Sequence, residues 1–141
     1  MARALVDTGA VVALVNRADR YHGVAVEWFQ RFRGELLTTE AVVTETAYVL
    51  AASPDHQRAA LLWFERARRA RLLKVEPVVD YAVLARIIAQ YASLPCDYAD
   101  ASLIALAERT SVIAIATIDQ RDFSIYRLRG RRRFRILLGT A

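Results

Sequence analysis

The feature that most constrains the fold is a series of short apolar segments that alternate with longer helical stretches. The most continuous segment, Ser111–Thr117, has the apolar pattern of a parallel strand that is buried on both faces. Strands that alternate with helices predict an α/β fold with a central parallel sheet. The predicted strands are Ala4–Asp7, Glu35–Thr39, Leu72–Val75, Ser111–Thr117 and the tail segment Phe134–Leu138.

The stretches between these strands have helical spacing or helix-capping residues. Thr39 is a predicted N-cap for a helix over residues 40–52, which stops before Pro54, and Asp55 is predicted to cap the next helix. The predicted helices are Val11–Val15, Tyr21–Phe32, 40–52, Asp55–Arg71, Val79–Ala92 and Tyr98–Arg109.

Length and composition exclude several classes of protein. The chain has 141 residues, 55% of them apolar, which predicts one domain over residues 1–141 and excludes a disordered chain. The single cysteine, Cys96, excludes an internal disulfide framework and a Cys-rich zinc site. Asp7 comes too early for a secretory apolar region, and no run of about 18 apolar residues could span a membrane. We therefore expect a cytoplasmic protein without a membrane partner.

The net charge of +5 is unevenly distributed along the chain. Residues 1–108 carry 12 basic and 13 acidic side chains, whereas residues 109–141 carry 8 arginines and 2 aspartates. The positive excess therefore lies in the last quarter of the chain, where it could bind a polyanion. The bias toward arginine over lysine is equally compatible with GC-rich coding.

Two acids are predicted to lie on apolar helix faces. Glu45 has Ala41, Val42, Tyr48 and Val49 at three- and four-residue spacing, and Asp100 has Leu103, Ile104 and Ala107. Neither acid is placed at a helix start by the sequence pattern. A buried carboxylate without a partner costs several kcal/mol or becomes protonated, so both acids require compensation.

Two further acids follow predicted strands. Asp7 ends the first strand, and Asp119 lies two residues beyond Thr117. Since ligands of open parallel sheets bind at the carboxyl ends of the strands, these acids are expected to converge there with Glu45 and Asp100. Converging carboxylates require a cation, and an all-oxygen site suits Mg²⁺ or Mn²⁺. Such an ion supports hydrolysis of a phosphodiester.

Each acid also has a plain structural interpretation. Asp7 could be a helix N-cap, Asp119 with Asp122 resembles an N-cap followed by a first-turn acid, and Asp97 is favoured as the N-cap of its helix. The string Asp7-Thr8-Gly9 also resembles the signature of retroviral-type aspartic proteases, but those enzymes are all-β. The other candidates are weak, and His22, His56, Cys96, Trp28 and Trp63 are expected to be surface or structural residues.

Four segments in this order resemble the PIN-domain family, and most closely its VapC-type toxins. They are Asp7-Thr8, the helix Thr44–Leu50 around Glu45, the stretch Tyr98–Glu108 around Asp100, and the strand exit Ala116–Phe123 with Asp119. The resemblance implies a PIN-like three-layer sandwich, in which a short central parallel sheet is flanked by helices.

The resemblance also implies a metal-dependent endoribonuclease of a toxin–antitoxin pair. The acidic pocket of the family corresponds to Asp7, Glu45, Asp100 and Asp119. Of these, Asp7, Asp100 and Asp119 are expected to hold Mg²⁺, with Mn²⁺ as a substitute ion. Thr117, Asp122 and Asp97 are possible assisting residues. The implied partners are an RNA substrate, a cognate antitoxin protein and a second copy in a homodimer.

Arginines of the tail are expected to bind RNA phosphates outside the pocket. The candidates are Arg121, Arg127, Arg129 and Arg131, Arg132 and Arg133. Two other functions remain open at this point. One is a non-catalytic RNA- or protein-binding PIN domain, and the other is a DNA nuclease of the same fold.

Overall fold

A computed structural model describes residues 2–139 and contains one sheet whose strands all run parallel. The strand order is β3-β2-β1-β4-β5. The predicted α/β fold with a central parallel sheet is therefore confirmed. The strands are β1 (Ala2–Val6), β2 (Gly34–Thr39), β3 (Leu73–Glu76), β4 (Ala114–Ala116) and β5 (Arg135–Ile136).

Helices cover both faces of this sheet, which gives three layers. α1, α2 and α4 pack on one face, α5 and α6 pack together on the other, and α3 contacts α1, α4 and α6. The helices of the described residues are α1 (Thr8–Val15), α2 (His22–Arg31), α3 (Glu40–Val49), α4 (Pro54–Arg69), α5 (Tyr81–Gln90), α6 (Tyr98–Thr110) and α7 (Gln120–Ile125).

The alternation of side chains along β1 divides the core into two apolar layers. Leu5 packs with residues of α5, α6 and α7, whereas Ala4 and Val6 pack with residues of α1, α2 and α4. All three are fully buried. The buried part of β1, Ala4–Val6, is apolar, and the acid Asp7 follows it where the strand ends.

Capping residues set most helix boundaries. Thr39 accepts a hydrogen bond from the Val42 amide and begins α3, as predicted. The predicted Asp55 cap is wrong: Ser53 accepts from the His56 amide, and Pro54 occupies the first position of α4, where a missing N–H is tolerated. α5 begins at Tyr81 rather than Val79, because Asp80 caps it.

The strands near the C-terminus are shorter than the sequence pattern predicts. Ser111 takes a left-handed conformation (φ 60°) that ends α6, so β4 covers only the last part of the predicted strand Ser111–Thr117. The predicted tail strand Phe134–Leu138 is reduced to β5. The helix α7, which was not predicted as such, follows Asp119, whose side chain caps it.

None of the helices in residues 2–139 is long and apolar enough to cross a membrane.

Candidate active site

The acidic residues lie where the strand order of the sheet reverses. β1 pairs with β2 on one side and with β4 on the other, so the carboxyl ends of β1 and β4 flank a topological switch point. Asp7 follows β1 directly, and its amide donates to the carbonyl of Ala116 at the end of β4 (3.0 Å). Asp119 lies three residues after that carbonyl.

The buried Asp7 carboxylate accepts two hydrogen bonds. Its Oδ1 accepts from the Thr8 amide (2.8 Å), which makes Asp7 the N-cap of α1. Its Oδ2 accepts from the Thr117 hydroxyl (2.9 Å), and that hydroxyl oxygen accepts from the Asp119 amide (2.9 Å). Thr117 therefore links the two strand-end acids, and the capping role of Asp7 is compatible with its place in the cluster.

Asp100 is also buried, but it lies in the first turn of α6 rather than away from the helix start. Asp97 is the N-cap and accepts from the Asp100 amide (2.9 Å), which confirms the predicted capping role of Asp97. The neighbours Leu103 and Ile104 are buried, as the spacing predicts. Asp100 Oδ2 accepts a hydrogen bond from the Tyr126 hydroxyl (3.0 Å).

Glu45 is half-buried in the second turn of α3, and only part of the apolar helix face predicted around it is buried. Val42 is buried, but Tyr48 and Val49 are 80% and 54% exposed. Glu45 lines a shallow cleft together with Tyr48, Asp97 and Tyr98. This cleft brings the α3 acid next to the start of α6.

Asp119 is half-buried and caps α7 by accepting from the Asp122 amide (3.3 Å). The structural interpretation of Asp119 and Asp122 as a cap and a first-turn acid is therefore confirmed. Burial raises the pKa of Asp119, and the Asp122 and Asp97 carboxylates add to that rise through repulsion.

The carboxylates perturb one another's ionisation. Burial raises the pKa of Asp7 to about 6, with repulsion from Asp119 and Asp97 adding to the rise. Burial raises the pKa of Asp100 to about 8, and repulsion from Asp7 is the largest contribution among the charges. Burial and the Asp97 carboxyl raise the pKa of Glu45 to about 7. The acids contributed by separate strands and helices therefore share one electrostatic environment.

The donor set of this cluster fits a hard divalent cation. Carboxylate and hydroxyl oxygens are the ligands that Mg²⁺ and Mn²⁺ prefer, and the buried Thr8 hydroxyl oxygen beside the cluster has no partner at hydrogen-bond geometry. Within residues 2–139, no three His, Cys, Asp or Glu side chains are grouped at metal-ligand spacing. The fit therefore rests on the chemistry of the donors and on their mutual repulsion.

Gly9 allows α1 to approach the loop that carries Asp119. A Cβ atom at this position would collide with the side chain of Ile118. The close contact between α1 and the β4–α7 loop keeps Asp7 and Asp119 on neighbouring segments.

The arginines of the tail fall into two groups. Arg127 donates to the carbonyls of Ser124, Ile125 and Tyr126, and Arg129 lies 3.1 Å from the buried carboxylate of Glu108. Both arginines are therefore engaged within the chain, and their function as phosphate ligands stays a prediction. Arg121 and Arg131–Arg133 are exposed and form no ion pair within the described residues.

The residues judged weak from sequence are mostly structural. Cys96 is buried, and burial raises its pKa to about 11, so its thiol stays protonated. His22, which was expected at the surface, is half-buried, and its Nδ1 forms a hydrogen bond with the carbonyl of Ala13 (2.7 Å). Trp28 is buried against Phe29 and Phe32, which confirms its predicted place in the core.

Tyr126 is the residue of this site that sequence reasoning missed. Tyr126 directly follows α7 and packs on Phe123, but its contact with Asp100 joins positions 26 residues apart. No local pattern signals such a pair.

Comparison with known proteins identifies the class to which this fold and site belong. The PIN-domain family matches residues 4–129, and the chain belongs to this family. The match ends at Arg129, before Arg131–Arg133.

Among individual proteins, the chain is similar to Ribonuclease VapC26 of Mycobacterium tuberculosis. The two are 28% identical over 133 residues, which cover 94% of this chain and 98% of VapC26. The chain also resembles the crystal structure of M. tuberculosis VapC20, described as a Sarcin-Ricin loop cleaving toxin. That likeness has a TM-score of 0.69 at 22% identity and covers 84% of this chain and 91% of VapC20. It confirms the PIN-like fold.

Proposed function

We propose that this chain is a Mg²⁺- or Mn²⁺-dependent endoribonuclease of the VapC type, the toxin of a toxin–antitoxin pair. The observation that supports the proposal is a set of four acids, Asp7, Glu45, Asp100 and Asp119, whose pKa values are raised by burial and by repulsion from neighbouring carboxylates. Two of them, Asp7 and Asp119, follow the neighbouring strands β1 and β4. A fold alone needs no such cluster, because buried like charges destabilise it. Perturbed acids at a ligand-binding crevice are typical of a catalytic site.

The ion would be held by Asp7, Asp100 and Asp119. The carboxylates of Asp97 and Asp122 would assist by adding negative charge near the ion. A bound divalent ion supplies electrostatic stabilisation of phosphoryl oxygens and makes water more acidic. Thr117 holds Asp7 and the Asp119 backbone in place through its two hydrogen bonds. Glu45, with a pKa of about 7, is suited to orient water and to accept its proton near neutral pH.

The substrate we propose is RNA, whose backbone phosphates would contact the exposed arginines Arg121 and Arg131–Arg133. The names of VapC26 and VapC20 support a ribonuclease over a DNA nuclease and over a non-catalytic binding domain. By the same similarity, we propose a cognate antitoxin, a homodimer and a cytoplasmic location.

The test is cleavage of matched RNA and DNA oligonucleotides by purified protein with Mn²⁺ and with EDTA. We expect RNA cleavage that EDTA abolishes and that Asp100→Asn reduces by at least 100-fold, because the pocket loses a charged ligand. The control is Asp55→Asn, which removes an exposed acid in the first turn of α4 and should leave cleavage unchanged. Cleavage by D100N at the wild-type rate would contradict the assignment of this site, and equal cleavage of DNA would favour the broader nuclease.

A further inference from the structure

A buried tyrosine hydroxyl is directed at one oxygen of a cluster acid. Tyr126 is fully buried, and its hydroxyl donates to Asp100 Oδ2 (3.0 Å). Asp100 itself is 8% exposed. Because water has little access, this hydroxyl is the principal donor to that oxygen, and the other carboxylate oxygen, Oδ1, makes no hydrogen bond within the described residues.

The surrounding structure fixes the Tyr126 ring. The ring makes edge contacts with Phe123 (5.1 Å between centroids) and with Tyr91 (4.9 Å). The next residue, Arg127, is held at its backbone by the Tyr91 hydroxyl, which accepts from the amide (2.7 Å) and donates to the carbonyl (3.3 Å). The Arg127 guanidinium also donates to the carbonyl of Tyr126 (3.0 Å).

This arrangement parallels the one at Asp7. There, the Thr117 hydroxyl donates to Oδ2, so each of the two most buried cluster acids has one oxygen engaged by a protein hydroxyl. The two acids differ at the other oxygen: Asp7 Oδ1 accepts from the Thr8 amide, whereas Asp100 Oδ1 makes no hydrogen bond within the described residues and stays available for a cation. Hydrogen-bonded partners of ligands commonly set metal affinity in this manner.

We propose that Tyr126 is a positioning residue, which orients Asp100 so that Oδ1 is presented to the divalent cation. The inference rests on the proposed metal-dependent function. Tyr126 lies inside a core of aromatic rings and would not contact RNA. Its effect should therefore appear in metal affinity rather than in recognition of the substrate.

The test is Tyr126→Phe, with binding of Mn²⁺ alone measured by isothermal titration calorimetry. We expect Mn²⁺ to bind 10- to 100-fold more weakly to Y126F than to the wild type. With saturating Mn²⁺, we expect cleavage of RNA to recover most of its rate at an unchanged KM, because Asp100 is still present.

The control is Thr110→Val, which removes a hydroxyl that donates to the Leu106 carbonyl (2.7 Å) at the opposite end of α6 from Asp100, without touching a carboxylate. T110V should lower stability but change Mn²⁺ affinity by less than threefold, and urea unfolding verifies that both variants are folded. Equal Mn²⁺ affinity of Y126F and wild type would overturn the positioning role alone. Absence of Mn²⁺ binding by the wild type would instead overturn the proposed metal-dependent function.

Discussion

Replacing Asp7 by asparagine removes a buried negative charge with almost no change in shape. Burial raises the pKa of Asp7 from 3.8 to about 6, which means that the folded protein holds this proton more tightly than the unfolded chain does. The carboxyl therefore lowers the free energy of unfolding progressively as the pH rises from about 4 to above 6. Asparagine cannot ionise and escapes this loss.

The size of the effect follows from the pKa difference and one lost hydrogen bond. The difference between 3.8 and about 6 corresponds to about 3 kcal/mol, fully developed by pH 8 and about half developed at pH 5. Against this, the Thr117 hydroxyl loses its carboxylate acceptor, which costs about 1 kcal/mol. We expect D7N to be about 2 kcal/mol more stable than the wild type at pH 8, and less than about 1 kcal/mol more stable at pH 5.

The measurement is urea unfolding followed by far-UV circular dichroism at pH 5 and pH 8. EDTA is included because a cation bound only to the folded wild type would add stability and hide the effect. Asp55→Asn, at an exposed position, serves as the control and should stay within about 0.5 kcal/mol of the wild type at both pH values. A D7N variant that is less stable than the wild type at pH 8, or whose difference does not depend on pH, would refute this reasoning.

Two further predictions concern the tail and the approach of α1. Replacing Arg131–Arg133 by glutamine should weaken RNA binding. It should also flatten the slope of log binding constant against log salt concentration by about 2, because each phosphate contact to a single strand contributes about 0.7. Filter binding between about 50 and 300 mM salt measures this slope. An unchanged slope would assign these arginines no phosphate contact. The control replaces three exposed arginines elsewhere, Arg17, Arg58 and Arg66. Gly9→Ala should cost about 1–3 kcal/mol in urea unfolding, because its Cβ would collide with Ile118. A neutral result would show that Ile118 moves aside freely.

The sequence predicts the strand-end acids well because their position follows from a rule of parallel sheets. Asp7 and Asp119 lie beyond β1 and β4, and these strands prove to be neighbours. The burial of Asp100 can be predicted from the sequence equally well, since Leu103 and Ile104 lie on the same helical face. These predictions need only local patterns and the general location of ligand sites.

The remaining features depend on tertiary contacts that no local pattern contains. Tyr48 lies at a position that helical spacing assigns to the apolar face, yet it is exposed, because no element of the described residues covers that end of α3. The sequence does not separate Arg129 from the other tail arginines, because its ion pair joins it to Glu108, 21 positions earlier. The role of Tyr126, which follows α7, likewise depends on its contact with Asp100 in α6.

The two-residue strand β5 has a consequence for aggregation. It pairs with β4 through hydrogen bonds such as Arg135 amide to Ile113 carbonyl (2.9 Å), and so covers an apolar strand that would otherwise form the border of the sheet. Short borders with charged side chains resist pairing with another sheet. The arginine-rich tail thereby protects the protein from edge-to-edge association, and this protection would be lost in any shortened chain that ends before Phe134, whether or not the arginines bind RNA.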